Sequence, residues 1–234
     1  EQNLGVELPL NVLYSHPVVN DLIKCVKGQA EFENKNSSEG SQLSLAKDAQ
    51  LNFEISLIGK LHIGQAKAKN IFLTGSTGFF GAFLLKELLN TTKARIYCLV
   101  RSKDEVHAID RIRKVFKNYK IPYSNADIKR IEGVSGDLTK VNFGLDDAKY
   151  HLLANTIETI FHNGAVVNYV DPYHKLKPAN VFGTEQVIRF SCKHRIIPIH
   201  YVSSISTFET LGFFTGRDKI YEHDSVDLGE DYVQ

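Results

Sequence analysis

The sequence contains neither methionine nor tryptophan among its 234 residues, and it has only three cysteines. Cys25, Cys98 and Cys192 are far apart, and an odd number of cysteines without CxxC spacing argues against a disulfide framework and a zinc site. We therefore expect a reducing compartment, the cytoplasm. Because the sequence starts at Glu1 with no initiator methionine, we expect it to be part of a longer chain.

An excess of charge of either sign is also lacking, since 28 Lys and Arg face 27 Asp and Glu. No field of one sign is available to attract nucleic acid or an anionic membrane, so neither partner is expected. The apolar runs, such as residues 196–199, are far shorter than the roughly 20 residues of a membrane span. No histidine pair has metal-ligand spacing such as HExxH, so no metal is expected.

Three regions differ in composition. Residues 1–28 are apolar and periodic, with a short amphipathic helix over 20–26, and residues 29–68 form a linker and lead-in segment that begins with a polar run. From residue 69 to 234, β-like runs alternate with helical patterns. Strands are predicted at 70–74, 95–100, 130–134, 157–162 and 197–203, with helices over 81–90, 104–119 and 179–194. This alternation predicts an α/β fold with a doubly wound, Rossmann-type parallel sheet.

The first predicted strand leads into a glycine-rich turn, TGSTGFFG at residues 74–81. The first glycine permits a tight turn, the second lets backbone approach a pyrophosphate, and the third allows close packing of helix on strand. The following helix N-terminus offers free N–H groups to phosphates. Strand, turn, helix and second strand come in the order that dinucleotide binding requires, although such glycines can also mark a plain turn. The predicted cofactor residues here are Gly75, Ser76, Thr77, Gly78, Phe79, Phe80 and Gly81.

The end of the second strand distinguishes NAD from NADP. NAD sites place an acid about 20 residues past the motif to bind the ribose 2′-hydroxyl, whereas Arg101 stands there in this sequence. A guanidinium suits a 2′-phosphate, and Arg111 on the next helix could add a second contact. The alternative is that both arginines are solvated surface charges. Asp104 and Glu105 lie close enough in sequence that NAD is a second alternative for the cofactor. We predict NADPH.

The third predicted strand ends in Gly136-Asp137-Leu138. The Asp137 carboxylate can accept a hydrogen bond from the adenine amino group, with Leu138 beside it. An Asx turn that closes the strand is the alternative.

Several motifs in this order resemble a known family. They are TGSTGFFG, CLVR at 98–101, GDL at 136–138, HNGA at 162–165, NVFGT at 180–184 and YVSSIS at 201–206. Together they resemble an extended short-chain dehydrogenase/reductase, and most closely the thioester reductase domain that ends many nonribosomal peptide synthetases. Aminoadipate and carboxylic acid reductases carry similar domains. The resemblance covers about residues 45–234.

The resemblance implies a reaction. NADPH reduces the thioester of an acyl or peptidyl group on a phosphopantetheine arm, giving an aldehyde and in some members an alcohol. The family uses a Ser or Thr together with Tyr and Lys spaced YxxxK. Ser204 matches the Ser/Thr position, with turn chemistry as the alternative role of this serine cluster.

We expect no such tyrosine–lysine pair within these 234 residues. Ile205 lies four residues after Tyr201, Ser225 lies four after Tyr221, and Tyr232 is too near the end. We therefore expect the family's Tyr and Lys beyond Gln234. This chain should then bind the cofactor far better than it catalyses reduction of the substrate.

The resemblance also assigns other segments. Asn163, Gly164 and Ala165 would line the cofactor, or form an ordinary loop. Asn180 would tie the adjacent loop or order a water, or cap a helix. Residues 4–10 and 13–19 resemble the C-terminal half of a carrier domain, whose phosphopantetheine serine would precede Glu1. The partners implied are a carrier-bound thioester and upstream synthetase domains in the same polypeptide.

Two other functions are compatible with the sequence. Another extended reductase, such as a nucleotide-sugar epimerase or dehydratase, would share the fold, although those enzymes usually carry an acid after the second strand. A dinucleotide-binding module without catalysis is the other alternative.

Overall fold

The computed structural model describes residues 19–27, 45, 47–55, 68–168, 170–207, 219, 221, 223 and 224. Its centre is a five-stranded parallel sheet in the order β3-β2-β1-β4-β5. The strands are β1 Asn70–Thr74, β2 Arg95–Val100, β3 Ile131–Ser135, β4 Thr159–His162 and β5 Ile199–Tyr201. The chain winds outward from β1 in both directions, so the doubly wound Rossmann-type fold is confirmed.

The described part of the chain forms several α-helices. They are α1 Val19–Val26, α2 Phe79–Thr91, α3 Glu105–Asn118, α4 Asn125–Ile128, α5 Asp147–Thr156, α6 Tyr173–Lys177 and α7 Gly183–Ser191. Short 3₁₀ segments lie at Val141–Gly144 and Ile205–Thr207. None of the helices in the described part of the chain is long and apolar enough to cross a membrane.

Three helical segments differ from the sequence prediction, and one of them is the short helix α4, which was not predicted. The helix predicted over 179–194 already begins at Tyr173, passes through a π-helical turn at Pro178–Phe182 and ends at Ser191. Helix α5 was not predicted, because its segment mixes polar and apolar residues without a clear stripe. Asp146 starts α5 by accepting a hydrogen bond from Lys149 N at 2.8 Å. Short α1 lies where an amphipathic helix was predicted, whereas the carrier-like residues 4–10 and 13–18 lie outside the described residues.

The core has one half on each face of the sheet. Ile71 and Leu73 of β1 pack with α2 and α3, while Phe72 faces α5 and α7. Both faces of β1 are therefore buried, which is why this strand is a continuous apolar run. On the second face Phe72 lies 5.1 Å from Phe190 and 5.7 Å from Phe143, measured between ring centroids. The sheet is thus clamped between two apolar layers, and its carboxyl edge carries the loops of the site.

Candidate functional site

A cleft of about 620 Å³ lies at the carboxyl edge of β1, β2, β3 and β4. This edge is where open α/β sheets bind ligands, at the point where strand order reverses. Residues from four separate strand-to-helix connections line it. Those that the sequence predicted are Gly75, Thr77, Gly78, Phe79, Phe80, Arg101, Arg111, Asp137, Leu138, Asn163, Gly164 and Ala165.

The glycine-rich turn has no room for side chains at two positions. Gly75 has φ +73°, and a Cβ there would lie 2.8 Å from backbone atoms of Asn163 and Gly164. A Cβ on Gly81 would lie 2.0 Å from the Gly75 carbonyl oxygen. Only glycine tolerates such contacts. The turn therefore lets the backbones of β1, α2 and the loop after β4 pack closely together.

The N-terminus of α2 opens into the cleft. Gly78 is the N-cap residue, and no side chain caps the first turn of this helix. Phe79 and Phe80, the first two helical residues, line the cleft. Uncapped N–H groups and the positive end of the helix dipole suit an anion, and the glycine-rich turn lets a pyrophosphate approach the backbone. The residues present therefore fit a dinucleotide.

Four predicted residues do not line the cleft. Ser76 is fully buried beneath the turn, and Gly81 lies behind Gly75. Asn180 binds both backbone groups of Val166, accepting from N at 2.7 Å and donating to O at 2.9 Å. It lies inside the π-helical turn and so ties the adjacent loop instead of capping a helix.

Ser204 is the fourth of these residues. It is exposed three residues after β5, where its Oγ accepts a hydrogen bond from Ser206 N at 3.2 Å. Val202 N donates to the His162 carbonyl at 2.9 Å, which keeps this loop on the same edge of the sheet as the cleft.

The end of the cleft at β2 is rich in cations. A side cavity of about 200 Å³ shares Arg101 and Asp137 with the cleft and adds Ser102 and Lys140. Arg111 donates a hydrogen bond to the Arg101 carbonyl. Lys140 was missed by the sequence analysis, because it lies in a loop after β3 and nothing in its spacing relates it to Arg101.

Asp104 and Glu105, the acids that made NAD an alternative cofactor, make their contacts outside the cleft. Asp104 caps α3, where it accepts hydrogen bonds from His107 N at 2.8 Å and from His107 Nδ1 at 2.7 Å. Glu105 pairs with Lys149 of α5. Neither residue lines the cleft or the side cavity, so Arg101 is the charged side chain that β2 presents there.

Asp137 forms the Asx turn that the sequence analysis gave as the alternative, and it also lines the cleft. Its Oδ1 accepts hydrogen bonds from the N–H and the hydroxyl of Thr139, both at 2.9 Å, which forms an Asx turn. Its own N–H donates to the Phe143 carbonyl at 2.8 Å. The turn thus fixes the carboxylate at the cleft wall.

A buried chain of hydrogen bonds supports the cleft from below. Thr74 Oγ1 accepts from Asn163 N at 3.1 Å and from Gly164 N at 2.8 Å, so its proton points to His162 Nδ1 at 2.7 Å. The other ring nitrogen, Nε2, then carries the proton and donates to Thr184 Oγ1 at 3.1 Å, which donates to Asn180 O at 2.7 Å. Burial lowers the pKa of His162 to about 4, so the ring is neutral.

One tyrosine–lysine pair with YxxxK spacing escaped the sequence analysis. Tyr173 and Lys177 have this spacing, but they lie on α6, before the NVFGT motif. Asp48 accepts a hydrogen bond from Tyr173 at 2.9 Å and pairs with Lys177 at 2.6 Å. Burial and the Asp48 carboxylate raise the pKa of Tyr173 to about 12. This pair does not line the cleft and has the contacts of a structural pair.

Comparison with known proteins confirms the resemblance inferred from the motifs. The chain is 38% identical to a linear gramicidin synthase of Brevibacillus parabrevis over 212 residues, which is 88% of this chain and 4% of that protein. It is 34% identical to the L-2-aminoadipate reductase large subunit of Candida glabrata over 245 residues, covering 95% of this chain and 17% of that protein. The chain thus spans less than a fifth of either relative.

A solved structure is similar to this chain in both fold and sequence. The terminal R domain from the myxalamid PKS-NRPS biosynthetic pathway superposes with a TM-score of 0.68 and 42% identity, covering 71% of this chain and 43% of that one. The NAD-binding family described as Male sterility protein matches residues 73–231. The chain belongs to this family.

Proposed function

We propose that this chain forms the NADPH-binding part of a reductase that releases a carrier-bound acyl or peptidyl thioester as an aldehyde, or further reduced as an alcohol. The observation that carries the proposal is the cleft itself, which is lined by the glycine-rich turn and by Arg101, together with the side cavity where Lys140 lies beside Arg101. Relatives that are peptide synthetases or aminoadipate reductases support the thioester as the reducible group.

Different residues of the chain bind different parts of the cofactor. The first turn of α2 holds the pyrophosphate, and Arg101 and Lys140 hold the 2′-phosphate. Asp137 accepts a hydrogen bond from the adenine amino group. Asn163, Gly164 and Ala165 follow β4, whose last residue pairs with the last residue of β1, and they hold the nicotinamide end.

The chemistry follows from this placement. NADPH, when bound, would supply a hydride to the thioester carbonyl carbon. Ser204 would donate a hydrogen bond to the carbonyl oxygen, where negative charge develops before that oxygen takes up a proton from water. The carbon–sulfur bond of the resulting hemithioacetal then breaks, the thiol leaves with a proton, and the aldehyde remains. The chain's own contribution is position and electrostatics.

We propose a matching domain organisation. Residues 1–28 are the C-terminal part of a carrier domain, 29–68 are linker and lead-in, and 69–234 are the reductase domain. The partners are then the carrier-bound thioester and upstream synthetase domains in the same polypeptide. Relatives far longer than this chain support this arrangement.

A paired fluorescence titration with NADPH and NADH tests the cofactor. We expect at least tenfold tighter binding of NADPH, and we expect Arg101→Ala to abolish that preference. Arg113→Ala is the matched control, because Arg113 pairs with Asp110 at 3.0 Å and does not line the cleft. Equal affinity for the two cofactors, no binding by the folded chain, or a preference that survives Arg101→Ala would overturn the proposal.

A further inference from the structure

Residues 47–55, which we call the anchor segment, attach to the outer face of α6 and α7. Asp48 contacts α6 twice, through the Tyr173 hydroxyl at 2.9 Å and Lys177 Nζ at 2.6 Å. The Asp48 and Lys177 side chains are 16% and 40% exposed, so this ion pair is partly shielded from solvent. The contact joins residues 125 positions apart in sequence, which makes it a tertiary attachment.

A second attachment lies on α7. Asn52 donates to Glu185 at 3.1 Å and accepts from Arg189. The Arg189 guanidinium also lies 3.8 Å from the centre of the Phe53 ring, and Glu185 fixes it in place at 2.8 Å. A guanidinium held by a carboxylate and stacked on an aromatic ring is a well-oriented contact.

These attachments are mainly polar. Leu51 and Ile55 are 44% and 39% exposed, so the segment is not buried as part of the core. Its contacts are charged pairs and hydrogen bonds, which salt weakens.

The anchored face is continuous with the cleft wall. Between α6 and α7 lies the π-helical turn Pro178–Phe182. Ala179 in this turn lines the cleft, and Asn180 holds Val166, another cleft residue. The anchor segment is therefore fastened to the same helical unit that supports one side of the cleft.

We propose that the anchor segment fixes the point from which the preceding chain leaves the reductase, and so shortens the reach of a carrier-bound substrate to the cleft. This inference rests on the proposed function. Residue 27 and residue 45 are separated by about 17 residues, which span at most about 60 Å, whereas the path to residue 68 has about 40 residues and spans up to about 140 Å. With the −3/2 power dependence of effective concentration on linker length, anchoring raises the concentration of the carrier at the cleft about fourfold.

Hydrogen exchange on this chain tests whether the segment is held. Ala49 N donates to Leu45 O at 3.0 Å, and Gln50 N donates to Lys47 O at 3.2 Å, so both amides report on the segment. We expect the triple variant Asp48→Asn, Asn52→Ala, Phe53→Ser to exchange at least tenfold faster at these amides, with β1 unchanged. Lys175→Ala on α6 is the control, because Lys175 pairs with Asp171. Unchanged exchange in the triple variant would overturn the attachment.

A comparison of two substrates in the full-length protein tests the consequence. We expect the triple variant to release its own carrier-bound acyl group about fourfold more slowly, while it reduces the same acyl group on free N-acetylcysteamine at the wild-type rate. Equal slowing of both reactions, or slowing of neither, would overturn the reach argument. A wild-type protein that reduces neither thioester would instead overturn the proposed function, and the exchange experiment would still decide whether the segment is held.

Discussion

The Thr74 hydroxyl lies 2.7 Å from Nδ1 of His162, and this contact joins the ends of β1 and β4 beneath the cofactor cleft. Thr74 also receives two backbone N–H groups from the loop after β4, so all its hydrogen-bonding capacity is used. His162 is only 2% exposed and passes the chain of hydrogen bonds to Thr184. A protonated ring could not accept from Thr74, so the cleft floor depends on a neutral histidine.

The first prediction concerns the pH dependence of stability. The pKa of His162 is about 4 in the folded protein and about 6.5 in the unfolded chain. As pH falls below about 6.5 the unfolded state takes up the proton first, so stability is lost between about pH 6.5 and 4. Between pH 7 and 5 this amounts to about 2 kcal/mol.

Urea unfolding at pH 7 and pH 5 measures this loss. We expect His162→Gln to be less stable at pH 7 and to lose about 2 kcal/mol less than wild type on going to pH 5. His174→Gln, on the exposed side of α6, is the matched control substitution. If wild type and His162→Gln lost the same free energy, the histidine would not be neutral in the fold.

The second prediction separates two glycines of the turn. An alanine Cβ at position 81 would meet the Gly75 carbonyl oxygen at 2.0 Å, whereas at position 78 the nearest atom lies at 3.4 Å. Overpacking of this kind costs about 1–3 kcal/mol. We therefore expect Gly81→Ala to lower the melting temperature and to weaken cofactor binding.

Gly78→Ala is the matched variant. It keeps a melting temperature near that of wild type, because the added methyl has ordinary contacts, but it weakens cofactor binding since Gly78 lines the cleft. Thermal unfolding together with NADPH titration distinguishes the two effects. Equal melting temperatures for both variants would show that the turn can relax around a methyl group.

The third prediction concerns a left-handed turn behind Asp137. Asn142, Phe143 and Gly144 have φ values of 52°, 59° and 71°. Phe143 is fully buried between Phe72, Tyr150 and Phe190, which offsets the strain of its backbone.

We expect Phe143→Ala to cost about 3–5 kcal/mol of unfolding free energy. Leu152→Ala, at a position that is 65% exposed, should cost less than about 0.5 kcal/mol. A loss below about 1 kcal/mol for Phe143→Ala would mean that strain relief balances the cavity.

The parts of the fold that the sequence predicted are those with a local signal. Strand β1, the glycine-rich turn and Arg101 follow from spacing within about 30 residues, as in any βαβ unit. The hydrogen bond between Thr74 and His162 joins residues 88 positions apart, and no local pattern indicates it. The same holds for the Asp48 contacts that give Tyr173 and Lys177 their structural role. Helix α5 escaped prediction because tertiary packing of Tyr150, Leu153 and Ala154 outweighs its weak periodicity.

Lys140 provides the last prediction, because it is a cation that the fold alone brings beside Arg101. Both residues line the side cavity with Ser102, and an ammonium there suits the 2′-phosphate of NADPH. We expect Lys140→Ala to weaken NADPH binding about 3- to 10-fold, with a smaller salt dependence, and to leave NADH binding unchanged. Lys103→Ala is the control, since Lys103 is exposed close to Arg101 in sequence but lines neither cavity. If Lys140→Ala weakened both cofactors equally, Lys140 would act on the shared part of the dinucleotide, and Arg101 alone would account for the preference.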